Sequence, residues 1–210
     1  MHKLLNILSQ ALSILLHPML MPCYGMLLFC FSGQPSITIL PRVYIIISLV
    51  GTFILTFAIP FILLLFMWKK GYIDSLHIDN SKQRTTPYIY TLICYGFWAY
   101  FLHTILLMPT FMLLIALGAI GALILVTLIN QWWKISAHLT GIGGLLGGIC
   151  SFGLSYAVLP FWPIIIVLLV ALILMYARLY LDAHTPMQVV CGFILGLLST
   201  FIPTLIMTYA

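Results

Sequence analysis

From Tyr88 to Ile129 the chain carries no Lys, Arg, Asp or Glu, and the same holds from Val43 to Trp68, from Leu139 to Tyr176 and from Met187 to Met207. Runs of this kind leave one class of fold open. Each is long enough for one or two spanning helices of about 20 residues, and hydrocarbon offers no partner to open backbone. A spanning barrel would alternate polar and apolar residues, which these runs do not do. Composition agrees, at 64% hydrophobic and 5% charged residues, against about 45–50% and about 25% in soluble domains. The expected fold is an all-α integral membrane protein, a bundle of six to seven transmembrane helices forming one domain over residues 1–210.

The helices can be placed from the breaks. Leu4 to Phe31 is apolar but interrupted at His17, Pro18 and Pro22, so it reads as an interfacial piece followed by a span, or as one kinked span. With Lys3 ahead of it and no small-residue cleavage site after it, this segment reads as retained rather than as a signal peptide. Val43 to Trp68 is one long span. Tyr88 to Ile129, with Pro109 near its middle, reads as a hairpin of two helices. Leu139 to Val158 and Phe161 to Tyr176 form another pair, and Met187 to Met207 is the last span. Three polar loops separate these groups, over residues 69–87, 130–138 and 178–187. Two spans lie between each loop and the next, so all three emerge on one side of the membrane, where they can form a composite site. Counting loop charges puts Lys3, Lys69 and Lys70 on that side against Arg42 on the other, which favours a cytoplasmic face.

The formal charge of +5 is carried at helix ends and in these loops, as interface anchors or anion ligands, so it does not point to nucleic acid. Lys69, Lys70 and Lys134 read as anchors whose stems snorkel to headgroups. The five cysteines fall inside apolar runs without metal spacing and read as small buried hydrophobes. His103, inside a span, reads as a hydrogen-bonded structural histidine; His2, His17 and His77 have no informative spacing. Thr86-Pro87 and Thr185-Pro186 read as N-caps followed by proline at the first helical position, and Ser136 as the cap of the helix at His138. Helix N-termini would then face the shared pocket, a setting suited to phosphate.

His138 and His184 each stand at a helix start on that face, with arginine nearby. Two imidazoles and fixed cations match phosphoester cleavage: one histidine attacks phosphorus, the other protonates the leaving oxygen, and guanidinium groups hold the remaining oxygens. A zinc site would need a third ligand at suitable spacing; no metal or cofactor is expected. "LTGIGGLLGG" places Gly143 with Gly147, and Gly144 with Gly148, at the spacing of tightly packed membrane helices, with a groove for a lipid tail as the other reading.

These residues carry a resemblance. "ISAH", Ile135 to His138, resembles the Pro-Ser-Gly-His motif of the type 2 phosphatidic acid phosphatase family, whose site is shared with vanadium haloperoxidases. "ARLYLDAHTPMQ", Ala177 to Gln188, resembles its third motif, in which Ser-Arg is followed after five residues by His and after three more by Asp. The resemblance spans roughly Lys69 to the C-terminus. It implies His184 as the nucleophile of a phosphohistidine intermediate, His138 as the general acid, and Arg178, Arg84, Lys82, Ser136 and Ala137 as the phosphate-binding set.

Three positions depart from the pattern. With Arg84 as the arginine of the first motif, His77 falls at its lysine and the proline arrives late, at Pro87, leaving Lys82 to supply the charge. Ala137 replaces glycine. Gln188 stands where the family has the Asp that orients the nucleophile, with Asp182 as a nearby electrostatic substitute. The implied activity is hydrolysis of a membrane lipid phosphate or diphosphate such as polyprenyl diphosphate or phosphatidic acid, in the bacterial inner membrane. The alternative is an impaired member that binds or moves phospholipid headgroups.

Overall fold

The computed structural model describes residues 2–75 and 81–209, and every regular element among them is helical. Helix α1, His2–Leu15, ends before Pro18, whose ring and missing N–H stop it. A 3₁₀ turn, Pro18–Leu20, leads into α2, Met21–Cys30. Helix α3 is Arg42–Lys69, with a π-helical turn at Ile54–Ala58 just ahead of Pro60. Helix α4 is Thr85–Tyr100, prolonged by a second π turn, Phe101–Ile105. Helices α5, Thr110–Ile129, α6, Ala137–Ser155, α7, Phe161–Tyr180, and α8, Pro186–Tyr209, complete the bundle.

By length and apolarity α3, α5, α6, α7 and α8 can each cross a membrane, and α1 with α2 makes a sixth candidate, bent by 41°. The expected six to seven is therefore met only at its lower bound, with the bent pair counted once. Helix α4, rich in Thr and Tyr, is not among these candidates, although it packs on α5 as the expected hairpin requires. The ambiguous first region is a broken helix pair, with the break at His17 and Pro18.

The polarity of the molecule is inverted relative to a soluble protein. Ile62, Phe97, Leu172 and Ile206 are each about three-fifths exposed on the outside, while Thr52, Ser151 and Thr200 are buried. An outer surface of this kind is solvated by lipid tails. This is an integral membrane protein.

Helix α6 lies at the centre, against α8, α7, α2 and α5. Leu139, Ile142 and Leu146 pack with Val167, Leu174 and Val189 of the two following helices. At the far end Met26 and Phe29 of α2 meet Trp98, Phe111 and Met112. Glycine permits the closest approach: a methyl group at Gly196 would sit on the Thr140 carbonyl, and one at Gly143 on the Phe193 carbonyl. Thr200 Oγ1 then donates to the Gly144 carbonyl at 3.0 Å, and Ser151 Oγ donates to the Thr200 carbonyl at 3.1 Å. Hydrogen bonds and small-residue packing of this kind hold membrane helices together where the hydrophobic effect cannot.

The glycine run presents two different faces, one closely packed and one open. Gly143 and Gly147 are pressed against α8, whereas Gly144 and Gly148 line an apolar groove of about 590 Å³ between α2, α4, α5 and α6. The groove runs from Ala137 at one end of α6 to Phe152, Phe161 and Trp162 at the other.

Candidate active site

The last turn of α7 sets the geometry. After Tyr180 the chain enters a Schellman turn: Ala183 N–H donates to the Arg178 carbonyl at 3.2 Å and Asp182 N–H to the Leu179 carbonyl at 3.0 Å. Asp182, with φ 49°, occupies the left-handed position that closes such a turn. The five residues between Arg178 and His184 are thus a helix end and its cap. They turn the chain so that both side chains sit at one site, His184 at 8% exposure.

Helix α8 begins immediately afterwards. Gln188, at its third position, reaches back so that its Oε1 accepts from Thr185 N–H at 3.1 Å, one half of a capping box. The same oxygen lies 3.2 Å from His184 Nδ1, and the Lys134 carbonyl lies 3.2 Å from that nitrogen on another side. An amide N–H fixes which end of Gln188 is oxygen, and two acceptors fix the proton on Nδ1. The lone pair of a neutral His184 is consequently on Nε2. The second polar loop is tied to the third through its backbone, since Ser136 N–H donates to the Gln188 carbonyl at 3.3 Å.

Cations surround this imidazole. Burial, then the Arg178 guanidinium, push His184 down to about 4; Arg84 and Lys134 act in the same direction and the Gln188 hydrogen bond opposes them. Arg84 is itself buried, at the start of α4. Ser136 caps α6 as expected, its Oγ accepting from Leu139 N–H at 3.4 Å. His138 stands at the second position of α6, with Nε2 3.1 Å from the Ser13 carbonyl. Arg178 Nη1 donates to Ser13 Oγ at 3.2 Å. Among the described residues, no hydrogen bond from either imidazole reaches a carboxylate.

Five of the expected site residues, His184, His138, Arg178, Arg84 and Gln188, are brought together, with Ser136 and Ala137 at the head of α6. The backbone of Lys82 lies in a 3₁₀ turn, Ser81–Arg84, but its side chain lies outside the described residues, as does His77. Other expectations are corrected. Asp182 is exposed and holds a turn, so it is no electrostatic substitute for an orienting acid. Thr86 caps nothing, because α4 already starts at Thr85 after the 3₁₀ turn. His103 faces outward and takes no hydrogen bond among the described residues. Lys134 is more than an anchor, since both its carbonyl and its charge act on His184.

The N-terminal segment also belongs to the site, through Ser13 and through His17, whose ring lies edge-on to His138 with centroids 5.6 Å apart. Their signal in the sequence is faint: Ser9 and Ser13 fall on one face of α1 and are buried while Leu4, Leu8 and Leu15 point out. The capping box had a clearer signal, Thr185 followed three residues later by Gln188.

The order, spacing and convergence of these motifs can be set beside a family. A family model described as the PAP2 superfamily matches residues 115–210. Over these residues the chain is similar to the PAP2 superfamily. The match includes the segments that carry the second and third motifs and agrees with the all-α membrane fold, and the PAP2 superfamily is of phosphatase type. It covers most of α5 and all of α6, α7 and α8, so His138, Arg178, His184 and Gln188 lie within the matched range, while Ser13, His17 and Arg84 lie outside it. No curated protein and no solved structure matches the chain.

Proposed function

We propose that the protein hydrolyses a membrane lipid phosphate or diphosphate through a phosphohistidine at His184. The observation that carries this reading is the arrangement at one imidazole: Nδ1–H held by Gln188 and the Lys134 carbonyl, a lone pair left on Nε2, and three cations around it. His184 Nε2 forms the bond to phosphorus as the bond from phosphorus to the lipid oxygen breaks, and that oxygen takes the Nδ1 proton of a His138 imidazolium whose Nε2–H stays on the Ser13 carbonyl. Water then attacks phosphorus as the bond to His184 Nε2 breaks, returning a proton to His138 Nδ1 and releasing phosphate. Arg178, Arg84 and Lys82 balance the charge on the phosphoryl oxygens, and the amide at Ala137 adds the positive end of α6, beside a Ser136 N–H that is held by the Gln188 carbonyl.

Two features favour a lipid over a soluble phosphate. The apolar groove reaches Ala137, and Tyr88, which lines it, sits against Arg84. A headgroup at the site therefore has an apolar channel beside it for its chain. Arg42 begins α3, and Lys69 with its cap Lys70 ends it on the side of the polar loops, a charge balance that supports a site at the cytoplasmic face of a bacterial inner membrane.

The neutral side chain of Gln188 favours one competing reading, a member that holds lipid headgroups without cleaving them. Phosphate release by detergent-purified protein from a panel of lipid phosphates, with chelator present, separates the two. Release by the wild type that disappears in His184→Ala supports the phosphatase. No release by folded wild type, with lipid phosphate still bound, gives the binding protein. Release undiminished in His184→Ala removes the phosphohistidine.

A further inference from the structure

Helix α1 meets the site through one buried residue. The Ser13 carbonyl is 3.1 Å from His138 Nε2, and the Ser13 hydroxyl accepts from Arg178 Nη1 at 3.2 Å. A carbonyl only accepts, so His138 carries a proton on Nε2. The hydroxyl gives its own proton to the Ser9 carbonyl at 2.9 Å. Its lone pairs are therefore committed to the guanidinium.

The carbonyl is available because the helix stops there. In an uninterrupted helix His17 N–H would take it, but Pro18 ends α1 and His17 N–H turns to the Ile14 carbonyl at 3.3 Å. The Leu15 carbonyl is taken by the Tyr24 hydroxyl at 2.7 Å. His17 Nδ1 accepts from Met19 N–H at 3.4 Å, capping the 3₁₀ turn and holding the break in place. The ionisable groups facing His138 are Arg178, His17 and His184. All three are cationic or can become so, and the negative end of the α1 dipole is the opposing influence at Nε2.

We propose that Ser13 is a positioning residue that ties His138 to Arg178, its carbonyl holding the imidazole and its hydroxyl aiming the guanidinium. The roles it serves, proton donor to the leaving oxygen and phosphate ligand, rest on the phosphatase reading above; the contacts do not. Ser13 lies outside the matched residues 115–210, so this chain completes the site with its own N-terminal helix.

The test uses the full-length protein in detergent. In ¹⁵N-histidine NMR, with His138 assigned through His138→Gln, the neutral wild-type imidazole is expected to carry its proton on Nε2. Pro18→Ala lets α1 continue so that His17 N–H takes the Ser13 carbonyl, and the Nε2 tautomer is expected to lose its dominance. A wild-type His138 protonated on Nδ1 alone overturns the proposal. Ser13→Ala and Ser13→Thr leave the backbone intact and carry the test if Pro18→Ala fails to fold. Orthovanadate, an oxyanion that adopts the five-coordinate geometry of phosphoryl transfer, is expected to bind Ser13→Ala about tenfold more weakly, the scale of one charge-assisted hydrogen bond. Ser13→Thr, which restores the hydroxyl, is expected within about twofold of wild type on the same scale. Equal affinity in wild type and Ser13→Ala, or no vanadate binding by the wild type, overturns the proposal. Absence of lipid phosphate hydrolysis by the wild type removes the phosphatase reading alone, because the tautomer and the vanadate affinities still decide on Ser13.

Discussion

One oxygen of Gln188 serves two neighbours, the N–H of Thr185 and Nδ1 of His184. A carboxylate at that position would also stabilise an imidazolium; an amide fixes the tautomer and leaves His184 neutral down to about 4. In the proposed mechanism the neutral form is the nucleophile, so activity is expected to persist as pH falls and to be lost only as it passes through about 4. In Gln188→Asp the new negative charge favours the protonated ring, and the acid limb of kcat/KM is expected to move up by about 1–3 pH units. Identical limbs in the two proteins would mean that the titrating group is not His184. Gln188→Ala leaves only the Lys134 carbonyl on Nδ1, and kcat is expected to fall about 10–100-fold, the scale of losing an outer-shell partner of an oriented histidine. The Arg178 to His184 spacing was legible because both residues sit in one short segment. The Ser13 to His138 contact, between residues 125 apart, was not. No local period in a sequence encodes a meeting of that kind.

At the scale of the element, the site depends on how helices stop and how closely they dock. Asp182 holds a left-handed conformation at the negative end of α7, where both its Cβ and its charge are unfavourable. Asp182→Gly is expected to raise stability by about 0.5–1 kcal/mol, read from unfolding in detergent, and to leave kcat/KM within about twofold. A large loss of activity would restore an electrostatic role to the carboxylate. Gly196→Ala places a methyl on the Thr140 carbonyl and is expected to destabilise by about 1–3 kcal/mol. Because α6 and α8 carry His138 and Gln188, it should also lower kcat. Most span limits could be read from apolar runs and prolines. The start of α4 could not, because Thr-Pro is as good a first turn as a cap, and the choice was made by the 3₁₀ turn ahead of it.

At the scale of the whole molecule, one residue from each polar loop, Arg84, Lys134 and His184, meets at one site, although α4 is not among the helices long and apolar enough to cross a membrane. The groove was legible only as one of two uses for a glycine-rich helix, since spacing cannot say which partner each glycine faces. Gly148→Leu fills the groove without reaching the site. It is expected to raise KM for long-chain lipid phosphates several-fold while sparing short-chain analogues, in a chain-length series of the same headgroup. An equal effect on every chain length would remove the groove from substrate binding.

Helix α6 thus presents two glycine faces with separate constraints. Gly143 and Gly147 admit no side chain, because α8 backbone fills the space; Gly144 and Gly148 border open volume and contact only side-chain atoms or a distant carbonyl. Descendants of this chain can therefore lengthen, shorten or close the channel one substitution at a time along the second face while the first keeps the two histidine-bearing segments in register. Change in what is recognised is uncoupled from risk to the chemistry, and the uncoupling comes from a rotation of about 100° between adjacent residues of a single helix.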